Sequence, residues 1–310
     1  MHWFWWVLLS ILALFILLVS CFFCFLHIST SKDEKSNFKK ECEKRERGEL
    51  PAFKSDDWGI ILGAPYAISN NIPCNEYSAE IVLNYIKSKH SWGIKNRQDL
   101  IYQLFCLIFD HHSTGYYKMR NLLVEMPKNE FETLIADIQQ SQMRKSAKKE
   151  LIWQYNMMYN NINDIQNVKY LSWDYVRFSM LCLEGCRLKY ITETEAKSWS
   201  LMLAPLLREI YSGWDDLWHH FIITRWFWSA QDDKWTRSQS MYSSIVDELL
   251  QENGSPATTI EWNTPLPPID TLSFAEAVAS LQLADEDGEI FSVEALNETI
   301  QSYLNITDTH

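Results

Sequence analysis

Residues Trp3 to Leu26 read WFWWVLLSILALFILLVSCFFCFL, 24 positions with no charge and with Ser10 and Ser20 as the only hydroxyl groups. As a helix the run rises about 36 Å at 1.5 Å per residue, enough to cross a hydrocarbon core of roughly 30 Å with some tilt. A cleaved leader would instead need a basic start, a shorter apolar stretch and a small-x-small exit. Here Met1-His2 precedes the run and Cys24-Phe25-Leu26-His27 follows it. Residues 1–27 are therefore expected to be a retained transmembrane anchor that meets the bilayer through 3–26. Trp3, Trp5 and Trp6 would sit at one interface, where amphipathic rings prefer to lie.

Flanking charge sets the orientation. No Lys or Arg precedes the run, while Lys32, Lys35, Lys39, Lys40, Lys44, Arg45 and Arg47 follow it. The positive-inside rule then puts the C-terminal side in the cytoplasm. Acids interleave with these bases, and Glu41–Arg45 and Glu43–Arg47 fall at i,i+4, so 28–55 reads as a charged helical stalk. Anionic lipid binding by this stretch is the alternative to a plain spacer.

The rest of the chain has enough apolar content to fold. Hydrophobic residues make up 47% of the 310, with 14 Trp, so the bulk is not a disordered tail. All 28 Lys and Arg lie at or before Arg237, while 13 of the 40 acids follow it, so the net charge of −12 belongs to the C-terminal part. That distribution argues against a nucleic-acid surface, which needs clustered bases. Seven cysteines suit a reducing compartment, and Cys182 and Cys186, four apart on one helix, make a poor disulfide.

Helical periodicity runs through most of the remainder. The spacing predicts helices over Tyr77–Lys89, Arg97–Phe109, Tyr117–Glu125, Glu130–Gln142, Lys149–Tyr159, Trp173–Leu188, Glu193–Tyr211, Trp214–Trp228 and Ser238–Gln251. Thr192-Glu193-Thr194-Glu195 is a capping box for the seventh of these, and Pro205 predicts a kink near Leu201 to Ala204. The fold class is all-α: one transmembrane helix, then a multi-helix globular domain at 56–253. Residues 254–310 form an acidic C-terminal segment. In it the extended Thr264-Pro265-Leu266-Pro267-Pro268 leads to two short amphipathic helices, carried by Phe274-Ala277-Val278-Leu281 and Val293-Leu296-Ile300-Tyr303. They are expected to dock on the domain; a free partner-binding tail is the alternative.

Several stretches carry a likeness. Leu171-Ser172-Trp173-Asp174-x-x-Arg177, Glu195-Ala196 with Trp199, Ser212-Gly213-Trp214 and Arg225-x-x-Trp228 stand in that order, preceded by Ser91-Trp92-Gly93-Ile94, Asn96-Arg97-Gln98-Asp99-Leu100 and His111. From about Trp58 to Trp228 the chain resembles the YbeU/YbeR-like uncharacterised bacterial family (domain of unknown function 1266). The likeness departs at Thr224 and Asp110, where the family usually has Gly. It implies a helical domain and a bacterial source, and it brings no catalytic residues with it.

The residues alone nominate little chemistry. His111-His112 and His219-His220 lie beside Asp110, Asp215 and Asp216, which makes His111, His219 and His220 weak metal candidates. Neighbouring histidines on a helix point about 100° apart, so one pair seldom gives two ligands to one ion. No zincin, nucleophile-elbow, P-loop or dinucleotide motif occurs, so no catalytic residue and no cofactor is expected. The tryptophans of 214–228 read as core rather than as a ligand platform. Arg225 falls on the stripe Trp214, Leu217, Phe221, Trp228 and is expected to form a buried structural pair with Asp174, with an anion site as the functional alternative. The function expected is that of a non-enzymatic, adaptor- or immunity-type interaction protein of the inner membrane. Its partner would be another protein. The alternative is a membrane-associated hydrolase or metal-dependent enzyme using His and Asp groups.

Overall fold

The computed structural model describes residues 37–70, 72–77, 92–109, 112–229, 232–284 and 290–305, the side chains of 232–239, 304 and 305 excepted. The chain divides into two compact units, Met1–Pro51 and Ala52–His310, so 254–310 is not set apart from the helical domain. The apolar run at 3–26 and all but the first residue of the helix expected at Tyr77–Lys89 lie outside the described residues. Among those described, no helix is long and apolar enough to cross a membrane.

In the first unit α1 spans 37–46. Both expected i,i+4 pairs are present along it, Arg45–Glu41 at 3.8 Å and Arg47–Glu43 at 4.0 Å.

Among the described residues the regular structure of the second unit is all helical apart from a single bridge between Ala284 and Ile290. Its helices are α2 (Trp58–Ile61), α3 (Ala64–Ser69), α4 (Arg97–Phe109), α5 (His112–Leu123), α6 (Lys128–Gln140), α7 (Lys145–Tyr159), α8 (Leu171–Arg187), α9 (Glu193–Leu201), α10 (Ala204–Ile210), α11 (Trp214–Ser229), α12 (Asp232–Gln251), α13 (Pro256–Thr259), α14 (Leu272–Ala279) and α15 (Val293–Asn305). The axis of the fold is α8, buried on nearly every face and packed against α2, α4, α9 and α11. A helix that is enclosed all round belongs at the centre of a layered bundle. α2 crosses α9 at Gly59, where a Cβ would come within 2.4 Å of the Ser200 backbone, so no larger residue fits there.

The tryptophans gather as the spacing implied. Trp58, Trp214 and Trp262 lie with ring centroids 4.8–5.0 Å apart. Two of the three indole N–H groups are served by main-chain carbonyls, Trp58 Nε1 donating to Trp262 O at 3.0 Å and Trp214 Nε1 to Ile260 O at 2.8 Å, while that of Trp262 is buried without a partner. Trp228 is the exception, being 40% exposed.

The capping box forms as expected: Glu195 N donates to Thr192 Oγ1 at 3.1 Å and Thr192 N to Glu195 Oε2 at 2.7 Å. The helix that begins there stops at Leu201 and restarts at Ala204, with Pro205 in the first turn of α10, where its missing N–H costs nothing. Glu195 also takes Arg97 Nη2 at 2.6 Å. Burial would raise the Glu195 pKa, but the hydrogen bonds from Arg97 and Thr192 outweigh it and hold the group below its ordinary 4.5. A depressed carboxyl stabilises the fold above its unfolded-state pKa, and that contribution is lost as pH falls through the folded-state value. The melting-temperature gap between the native chain and Glu195→Gln should therefore be full at neutral pH and shrink below about 4.5. A gap that does not change with pH would rule this linkage out.

The C-terminal helices dock as expected. Phe274 is wholly buried, with its ring 5.9 Å from Phe178 and 5.3 Å from Trp199. Trp199 Nε1 donates to Ser273 Oγ at 3.1 Å, and Tyr175 donates to the Tyr303 hydroxyl at 2.8 Å. The stretch from Thr264 to Asp270 carries no helix, turn or bridge, and Arg208 Nη2 holds its start at Thr264 O, 2.8 Å away.

Candidate functional site

The start of α8 meets the start of α5 at one buried carboxylate. Asp174, in the first turn of α8, is fully enclosed. Its Oδ2 accepts the backbone N–H of Ser113 at 3.2 Å, so it caps α5 where the helix leaves N–H groups unpaired. Its Oδ1 accepts Arg177 Nη2, one turn along the same helix, and lies 3.2 Å from His112 Nδ1. Arg177 is 5% exposed; its Nε donates to Trp173 O at 3.1 Å and its Nη2 reaches His112 Nδ1 at 2.8 Å. The guanidinium carbon sits 4.6 Å from the Trp173 ring centroid and 5.4 Å from that of Trp92. On the outer side the His112 ring meets Trp228 edge-on, centroids 4.3 Å apart.

His112 Nδ1 thus stands between a donor, Arg177 Nη2 at 2.8 Å, and an acceptor, Asp174 Oδ1 at 3.2 Å: it accepts from the guanidinium in one tautomer and donates to the carboxylate in the other. Three neighbouring groups at the start of α8 are left over among the described residues: the Tyr170 and Ser172 hydroxyls and the Trp173 indole N–H, each buried and without a hydrogen-bond partner. Burial drives the Tyr170 pKa well up, and Asp174 adds to the rise.

The expected pair of Asp174 with Arg225 does not form. The Arg225 guanidinium lies 4.1 Å from the centroid of the Tyr242 ring on α12. The reason is local: Arg177 lies at i+3 from Asp174, close enough to meet it from the same turn without help from a second helix. The spacing Asp174-x-x-Arg177 was the available signal, and the partner it left unread was His112.

The metal candidates separate. His111 lies outside the described residues. His220 has both nitrogens engaged: Nδ1 accepts Lys169 N at 3.2 Å, and Nε2 faces Asp216 Oδ1 at 3.2 Å. Burial, with Lys169 and His219 nearby, lowers its pKa against the pull of Asp216. His219 faces a different space, an open cleft of ≈ 580 Å³ shared with Asp215, Asp216 and Asp247. Among the described residues no three His, Cys, Asp or Glu side chains are placed to hold a metal ion. Cys182 and Cys186 are free thiols.

A family model described as "Protein of unknown function (DUF1266)" matches residues 89–262, a span that contains Trp92, His112, Trp173, Asp174, Arg177 and Trp228. No curated protein and no solved structure matches the chain.

Proposed function

The chain belongs to the DUF1266 family, and we propose that this member is a membrane-tethered binding protein, of adaptor or immunity type, which holds a protein partner at the cytoplasmic face of the bacterial inner membrane. The supporting observation is Trp228, 40% exposed and packed edge-on against His112, whose Nδ1 is engaged by the buried Asp174–Arg177 pair. Exposed tryptophans on a rigid base are the kind of residue that dominates binding energy at interfaces. The alternative is a hydrolase or metal-dependent enzyme acting near the membrane and using His and Asp groups.

The tether rests on the charge-free run at 3–26 and the basic flank from Lys32 to Arg47. Two results are expected. A reporter fused after His310 is active as a cytoplasmic fusion and silent as an exported one; exported alkaline-phosphatase activity would reverse the orientation. In pull-downs of the full chain from solubilised membranes, a stoichiometric partner is retained by the native protein and lost with Trp228→Ala. Equal retention by that variant would remove this face from the interaction.

A further inference from the structure

We infer that the exposed basic tip between α6 and α7 docks on an anionic lipid surface. The inference rests on the tether proposed above, to which it adds a second hold on the same bilayer.

Arg144, Lys145, Lys148 and Lys149 fall close together in a chain whose net charge is −12. Arg144 is the N-cap of the 15-residue α7. At 100° per residue Lys145, Lys148 and Lys149 share one face of that helix within about 100° of arc, and the adjacent acid, Glu150, lies about 100° further round. The side chains of Arg144, Lys145 and Lys149 are exposed and make no ion pair or hydrogen bond among the described residues. Lys148 spends one donor on Gln139 O at 2.8 Å, at the end of α6. Met143, just before the cap, is 43% exposed.

Folding alone does not call for this arrangement. A helix N-terminus carries the positive end of the helix dipole, so bases there oppose it, and α7 has neither an acid in its first turn nor a side-chain cap. Charges act over about 8–10 Å in ordinary salt, so the sign of the tip, rather than that of the whole chain, decides what it meets. Bases that weaken their own helix and flank an exposed thioether suit a surface that is anionic outside and apolar beneath. The cytoplasmic leaflet of a bilayer is such a surface, and each base brought near it strengthens association about fivefold. An acidic protein surface, such as the C-terminal segment of a second copy, would match the charge but offer Met143 no apolar layer to enter.

The test places the full chain in nanodiscs of phosphatidylcholine, alone or mixed with phosphatidylglycerol, and follows hydrogen exchange over residues 139–150 by mass spectrometry. The first N–H groups of α7 have no acceptor within the helix and exchange quickly while solvated. Exchange there should slow about fivefold or more when phosphatidylglycerol is present, and the slowing should vanish in about 1 M salt. The double variant Lys145→Gln with Lys149→Gln changes two exposed positions, so it should melt no lower than the native chain and lose the slowing. Equal exchange in the two lipids, slowing that survives high salt, or an undiminished effect in the double variant would each overturn the inference. Slowing that appears in phosphatidylcholine alone and grows with protein concentration would give the tip to a second copy, and would overturn it too. A full chain that never enters phosphatidylcholine nanodiscs would defeat the tether, and the tip would then be read by flotation. Flotation with phosphatidylglycerol vesicles but not with phosphatidylcholine ones, lost in the double variant, would uphold the tip without the tether. No flotation with either would end both.

Discussion

Asp174→Ala is expected to destabilise the Ala52–His310 unit by about 3–5 kcal/mol. The variant removes three things together. Arg177, 5% exposed, loses its counter-charge, α5 loses the acceptor for Ser113 N–H, and His112 loses the carboxylate that lies 3.2 Å from its Nδ1. In a domain of this size that is a drop in melting temperature on the order of 10 °C. Asp174→Asn should fall between, because its carbonyl oxygen can still accept from Ser113. Two double variants locate the coupling. Asp174→Ala with Arg177→Met should lose clearly less than the sum of the singles, since the second change removes the stranded charge. Asp174→Ala with Arg225→Ala should be additive, because Arg225 packs over Tyr242 and not on the carboxylate. Coupling to Arg225 and additivity with Arg177, read from urea unfolding, would refute this arrangement.

The contrast between those two arginines shows what the sequence could and could not supply. Helices whose apolar stripe repeats over three turns were legible almost to the residue: Arg97–Phe109 was read with both ends right, and Trp214–Trp228 ends one residue later, at Ser229. Local chemistry was legible too, as in the Thr192–Glu195 capping box, the break before Pro205 and the i,i+4 pairs of α1, since each is settled within one turn or two. The candidate site is a different kind of object. Trp92, His112, Asp174 and Trp228 come from four separate parts of the chain, and only folding decides which arginine reaches the carboxylate. Arg225 was assigned to Asp174 because it lies on an apolar stripe. A stripe says that a residue faces a neighbour without saying which neighbour, and α11 turns that position to α12. Trp228 illustrates the same limit: it shares the spacing of buried Trp214, yet at the end of α11 the core has run out and the ring stands at the surface.

The acidic C-terminal segment offers the largest effect of all. Ending the chain before Pro265 should abolish cooperative unfolding of the domain rather than trim an appendage. The truncation removes Phe274, Ala275, Ala277, Val278, Leu296 and Ile300, each buried, and uncovers Phe178, Trp199 and Tyr175, which are now fully enclosed. Phe274→Ala alone is expected to cost about 3–5 kcal/mol, a large share of the 5–15 kcal/mol that holds a typical domain together. An opposing term exists. Nine acids follow Pro265 and no base does, so truncation would relieve self-repulsion in a chain of net charge −12. If that repulsion dominated, the shortened protein would be the more stable one, and the gain would vanish in high salt. Burial should win, because the acids of α14 and α15 are surface groups whose repulsion is screened, whereas the apolar contacts are not. The measurement is a thermal melt of the full chain, Phe274→Ala and the truncation, in about 0.1 M and 1 M salt, with a dye that reports exposed apolar surface. Dye binding and loss of the transition in the truncated chain at both salts is the expected result. A truncated chain that melts at the native midpoint would mean that Phe274 contributes nothing to the core it enters, and the docked arrangement would have to be abandoned.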